Sequence, residues 1–195
     1  AVTAMTGDGS DDIIVRANEA GAGAFRVNTY TSSTQEDPTT TMLSDGGFII
    51  IWEDAGSGDS SGVFGQRYDA AGAAVGDEFR GNTWTSSTQS NASVTAHGDG
   101  FVVTWQDSSG GQHPDGGSGW DIRAQGYGED GVAVGSDFLV NSYTSSTQDY
   151  PSVTGLTDGG FVITWEDSSG HSGGSSYDIR AQRFSADGTK GVATT

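Results

Sequence analysis

The chain has no cysteine, a single lysine (Lys190) and only three prolines among 195 residues. Without cysteine there is no disulfide framework, and cysteine usage names no redox compartment. Basic residues total eight against 26 acidic ones, for a net charge of −18. That balance speaks against nucleic acid or an anionic membrane surface as a partner. It also implies a setting in which salt screens the self-repulsion or bound cations offset it. No apolar run approaches the ~18 residues of a membrane span, so no membrane insertion is expected. No stretch keeps a helical period over three turns. Hydrophobic residues make up 33% of the chain, low for a folded domain.

What is present is glycine, at 32 residues, and aromatics: five Trp, six Tyr and eight Phe. Disordered chains are poor in aromatics, and here the apolar residues cluster in short runs. A folded, turn-rich chain is implied. Ala1 opens without a signal-peptide pattern. With "GVATT" at the other end, the sequence reads as a segment cut from a longer polypeptide.

One octapeptide recurs three times: "NTYTSSTQ" (Asn28 to Gln35), "NTWTSSTQ" (Asn82 to Gln89) and "NSYTSSTQ" (Asn141 to Gln148). The residues after it recur as well. "SDGGFIIIWED", "HGDGFVVTWQD" and "TDGGFVITWED" align, as do "VFGQRYDAAG", "DIRAQGYGEDG" and "DIRAQRFSADG". "DEFRGN", "SDFLVN" and "AFRVN" supply a last short segment. Each repeat reads as four strands joined by Asp-Gly turns, which accept positive φ cheaply. The first strand is small and β-branched (Thr39 to Leu43 and its equivalents). The second is continuously apolar, as for burial on both faces. Four antiparallel strands per repeat predict an all-β fold, a small β-propeller of about four blades. The division is 1–28 (a partial repeat), 29–82, 83–141 and 142–195. The last repeat lacks a clear fourth strand. A piece of a larger propeller, or a ring closed by two chains, is the alternative. A β-trefoil fits less well, because its units are shorter.

The octapeptide then marks the crossing from the outer strand of one blade to the inner strand of the next. Its Thr, Ser and Gln side chains are expected to satisfy strand-end backbone groups. A second reading is a repeated sugar site. Tyr30, Trp84 and Tyr143 would offer flat rings, and Gln35, Gln89 and Gln148 hydrogen bonds.

The loop after the second strand is rich in Gly and Ser and varies in length. Asp54, Asp59, Asp107, Asp115 and Asp167 place carboxylate oxygens there, the ligand type that calcium prefers. The competing reading is that the first Asp caps the turn through backbone amides. Near the start, Gly7-x-Gly9-x-Asp11-x-Ile13 is one copy of a calcium β-roll nonapeptide, a motif that needs consecutive copies. "GDSSG" (Gly58 to Gly62) and "GHSGG" (Gly170 to Gly174) match G-x-S-x-G. Neither sits on a strand–turn–helix elbow, so Ser60 and Ser172 are not expected to be nucleophiles. His97, His113 and His171 fall at different repeat positions and build no common zinc site. "NAS" (Asn91 to Ser93) is a glycosylation sequon at a strand start.

From Phe25 to Gly188 the repeat resembles those of very large secreted bacterial proteins, including calcium-dependent RTX-type proteins and surface adhesins. The motifs that carry the likeness are "DGGFVITW", "DIRAQRF" and "FLVN". Locally, Ser90-Asn91-Ala92 lacks the proline found as Pro38 and Pro151, and Gly126 stands where Arg67 and Arg183 occur. The resemblance implies an extracellular, propeller-like unit, often near calcium-binding nonapeptides. The expectation for function is a non-enzymatic extracellular binding or adhesion module, stabilised by calcium, with a carbohydrate or protein ligand. A self-assembling structural subunit is the alternative. A hydrolase ranks last, because no convergent acid, base or nucleophile is visible in the sequence.

Overall fold

The computed structural model describes residues 5–6, 13–16, 23–56, 61–171 and 177–191. The chain is a β-propeller of antiparallel sheets, with one 3₁₀ turn (Gly110–Gln112) as the sole helical element among the described residues. The first sheet is short: β1 (Met5–Thr6), β2 (Ile13–Arg16) and β3 (Ala24–Arg26). The next holds β4 (Gln35–Met42), β5 (Phe48–Asp54), β6 (Gly62–Tyr68) and β7 (Ala74–Arg80), in that order. The third holds β8 (Gln89–His97), β9 (Gly100–Asp107), β10 (Asp121–Tyr127) and β11 (Ala133–Leu139). The fourth holds β12 (Gln148–Gly155), β13 (Phe161–Asp167) and β14 (Asp178–Phe184). Below, the last three sheets are blades one, two and three.

Local chemistry makes the turns. Asp45 and Asp158 each accept a hydrogen bond from the amide two residues on, at Gly47 (2.9 Å) and Gly160 (3.1 Å). The intervening Gly46 and Gly159 sit at φ +84°, a conformation that costs glycine little. The same aspartates pair with Arg67 and Arg183. Blade two has Gly98 in place of the turn Asp and Gly126 in place of the Arg, so both partners are lost together.

The inner strands β4, β8 and β12 lie side by side, which requires small residues. Ser93 Oγ and Thr95 Oγ1 accept the amides of Val153 and Gly155 in the next blade, at 3.2 and 3.0 Å. Apolar clusters fill the gaps between sheets. Leu43, Ile49 and Ile51 of blade one meet Val94, Val103 and Trp105 of blade two. Val102 and Ile122 of blade two meet Val153, Ile163 and Trp165 of blade three. Strands β5 and β9 are buried along their whole length, as sandwiched second strands should be. In β13 burial alternates, because blade two covers one of its faces. Trp52, Trp105 and Trp165 occupy equivalent buried positions.

One local expectation is corrected. The first strand begins at Gln35, Gln89 and Gln148, four residues earlier than the β-branched run at Thr39. A bulge shifts the register early in each: between Glu36 and Thr39, Ser90 and Ser93, and Asp149 and Ser152. The bulge lets a polar stretch join the ladder while the small residues keep the inner face.

Candidate functional site

Each bulge holds one non-glycine residue in the left-handed region: Asp37 at φ +50°, Asn91 at +53° and Tyr150 at +51°. Asp and Asn tolerate this conformation; for a bulky Tyr it is strained. Non-glycine strain at three equivalent positions is a functional signal, since such residues cluster at binding sites. All three line one cleft of about 300 Å³ between the inner strands, with Pro38 and Pro151. Asp37 and Glu36 are exposed, and Tyr150 presents 61% of its surface to solvent. A larger cleft of about 450 Å³ lies among Val102, Tyr127, Phe138 and Phe161. It is mainly apolar, with Asp187 its one carboxylate.

Under the cleft lies the residue that follows the buried Trp on each second strand. In blade one it is Glu53, whose carboxylate accepts the Asn91 amide of blade two. In blade two it is Gln106, whose Oε1 accepts the Tyr150 amide of blade three at 2.9 Å. The bond therefore works with a neutral amide. Blade one nevertheless keeps an acid there, and it is directly opposite a second acid, Glu36, across the strand pair. Like charges so placed repel. Burial pushes the Glu53 carboxyl up to about 7, and the Asp37 and Glu36 charges push the same way against the Asn91 and Ala92 amides. Blade three repeats the motif. Asp149 faces Glu166 across the ladder, and burial and the Glu166 charge raise Asp149. Blades one and three thus each set two acids opposite one another early in the first strand, and in each pair one carboxyl, Glu53 or Asp149, is raised. One aromatic ring stands beside them.

The octapeptide has a different job. Asn28, Asn82 and Asn141 each donate through Nδ2 to Gln35, Gln89 and Gln148 Oε1, at 3.0, 2.9 and 3.2 Å. Each also donates to the carbonyl two residues on, at Tyr30, Trp84 and Tyr143. Asn82 and Asn141 accept the amides of Val63 and Ile122 in return. The three glutamines are buried and each gives its Oε1 to the joint asparagine, which corrects their assignment as sugar ligands. Of the joint aromatics, Trp84 is half-buried and meets His113 at 5.2 Å. Tyr30 and Tyr143 keep 38% and 40% exposure. Tyr143 packs against His171 at 3.5 Å. They act chiefly as wedges under the second-strand loops.

The aspartates considered for calcium also make protein contacts of their own. Asp54, Asp107 and Asp167 are buried, and each accepts the amide two residues on: Gly56, Ser109 and Ser169. Asp115 is paired with Arg123 and His113, and their pull outweighs its burial and lowers it. Asp59, Ser60, Ser172 and the Gly7, Gly9 and Asp11 positions of the nonapeptide lie outside the described residues. Among the described residues no group of three or more His, Cys, Asp or Glu is set to hold a metal.

Glu36, Asp37, Glu53, Asn91, Asp149 and Tyr150 were not singled out from the sequence as a site. The available signal was divergence. Directly after three near-identical octapeptides, the repeats part into "EDP", "SNA" and "DYP".

No family model matches the chain, and no curated protein does. Solved structures match in fold. An α-L-arabinofuranosidase from Lactobacillus brevis superposes with a TM-score of 0.54 at 11% identity, over 92% of this chain and 64% of that one. A putative exo-β-1,3-galactanase from Bifidobacterium bifidum gives 0.54 at 14%, over 96% and 63%. An endo-arabinase from Bacteroides thetaiotaomicron gives 0.52 at 11%, over 92% and 68%. The chain thus spans about two thirds of the length of these structures, and at these identities the likeness is one of fold. It overturns the expectation of a non-enzymatic adhesion or self-assembling module, because every structure named here is a carbohydrate-cleaving enzyme on a β-propeller. The premise that no paired acids exist is corrected too, since Glu36 lies directly opposite Glu53 across the strand pair.

Proposed function

We propose that this propeller is a carbohydrate-active domain that hydrolyses glycosidic bonds at the inner strand ends. Glu53 is the general acid. Asp37 and Glu36 supply the second carboxylate that glycoside hydrolysis requires. Tyr150 gives a sugar ring an apolar face, and Asn91 gives its hydroxyls a polar partner. The observation that carries this reading is the Glu53–Gln106 contrast. One repeat builds the joint with a neutral amide, whereas the other keeps a buried acid raised to about 7, inside the range where a general acid works near neutrality.

The test is turnover of aryl glycosides and plant or microbial polysaccharides by the wild-type chain and by Glu53→Gln. The variant is expected to fold, following Gln106, and to lose at least a hundredfold in kcat. The wild-type rate should fall as pH rises through about 7, since a general acid must be protonated. No hydrolysis across the panel, or equal rates in both proteins, would overturn the assignment.

A further inference from the structure

A different acidic pair lies at the other end of the second-strand ladder in blade two. Asp107 and Asp121 are directly opposite one another on β9 and β10, at 1% and 2% exposure. Both Asp121 oxygens are engaged: Oδ1 accepts Asn141 Nδ2 at 2.8 Å and Oδ2 accepts the Gly117 amide at 2.8 Å. Asp107 Oδ1 accepts the Ser109 amide at 2.7 Å, but Oδ2 is buried without a hydrogen-bond partner. An unpaired buried carboxylate oxygen facing a second carboxylate is costly unless something positive meets it.

Blade three shows what that is. Its equivalent pair, Asp167 and Asp178, carries the Arg180 guanidinium, with Nε 2.9 Å from Asp167 and Nη2 3.6 Å from Asp178. The equivalent arginine in blade two is Arg123, and it is committed elsewhere. Asp137 of the outer strand holds it at 3.2 Å and Asp115 of the loop at 2.9 Å. Blade one keeps the first aspartate as Asp54 but has Gly62 opposite, so it forms no pair. Blade two alone combines two facing acids with an arginine drawn away.

We propose that Asp107 and Asp121 bind a hard divalent cation, Ca²⁺, which does in blade two what the Arg180 guanidinium does in blade three. The two carboxylates supply part of the oxygen shell. Carbonyls of the glycine-rich loop between Ser108 and Trp120, with water, complete the six to eight ligands that Ca²⁺ takes.

Terbium is the probe, because it replaces Ca²⁺ and Trp105 and Trp120 are near enough in sequence to sensitise its luminescence. Titration of the full chain should give a saturable signal of one ion per chain, competed by Ca²⁺. The signal should be lost in Asp121→Asn and kept in Asp178→Asn. Since Asp121 also holds Asn141 and the Gly117 amide, Asp107→Asn is the second variant. Its new amide donates where the cation would sit, so its melting temperature should match that of calcium-loaded wild type and ignore added CaCl₂. Wild type should gain stability from CaCl₂ but not from NaCl of equal ionic strength. The proposal fails if luminescence is unsaturable or survives in Asp121→Asn. It fails equally if CaCl₂ and NaCl act alike and only pH shifts the wild-type melting temperature, the signature of a shared proton.

Discussion

Glu53 of blade one accepts the backbone amide of Asn91 in blade two, and the same bond recurs from Tyr150 to Gln106 between blades two and three. Its carboxyl is raised from 4.5 to about 7 chiefly by burial. A carboxyl whose folded value is raised contributes stability below its unfolded value, and this is lost as pH climbs through the folded one. Wild type should therefore lose stability between about pH 4.5 and 7, by roughly 2 kcal/mol. Glu53→Gln should flatten that slope. Urea midpoints at pH 5 and pH 8 for both proteins give the comparison, and equal slopes would contradict the assignment.

Asn82 closes the crossing into blade two with two donated bonds and one accepted, all largely buried. Asn82→Ala leaves Gln89 Oε1 and the Val63 amide without partners. The expected loss is about 3 kcal/mol, or roughly 10 °C in melting temperature. Thr83→Ala, at an exposed neighbouring position, should change little. Calorimetry on the two variants separates a joint from a decorated loop.

Tyr150 holds a left-handed φ of +51° while exposing most of its ring. Tyr150→Asn places there a residue that tolerates this conformation, as blade two does with Asn91. Stability should rise by about 1 kcal/mol while KM for a saccharide increases. A gain in stability with unchanged KM would remove Tyr150 from the site.

Trp105 is fully buried between blades one and two. Trp105→Ala should cost about 3–5 kcal/mol, read from the denaturation midpoint. A loss under 1 kcal/mol would mean that this inter-blade core is not close-packed.

The blades were legible because their signals are local and repeated. The Asp-Gly turns, the β-branched inner run and the apolar strand ending in Trp each announce a strand or a joint. The Asn–Gln clasp was half legible: repetition marked a joint, but a polar Gln gives no hint that it is buried until its partner is placed. The cleft was not legible, for two reasons. Its left-handed positions are held by Asp37, Asn91 and Tyr150, so glycine does not mark them. Its acids come from neighbouring strands, and the raised ionisation of Glu53 arises from burial and charges that only the fold assembles. The pairing of Asp115 with Arg123 was not legible either, because Arg123 lies on the next strand and the loop sequence alone does not bring the two together.

Outer-strand phenylalanines reach forward across the sheet boundary. Phe25 meets Tyr68 at 5.5 Å, Phe79 meets Tyr127 at 5.0 Å and Phe138 meets Phe184 at 5.5 Å. Each therefore completes the core of the sheet after its own. The aromatic packing unit is then offset by one strand from the visible blade: around blade two it runs from Phe79 to Tyr127. A fragment cut at blade boundaries, from Gln35 to Asn82, exports Phe79 and imports nothing over Phe48 and Tyr68. Grafting, permutation or shortening of this propeller should follow the offset frame.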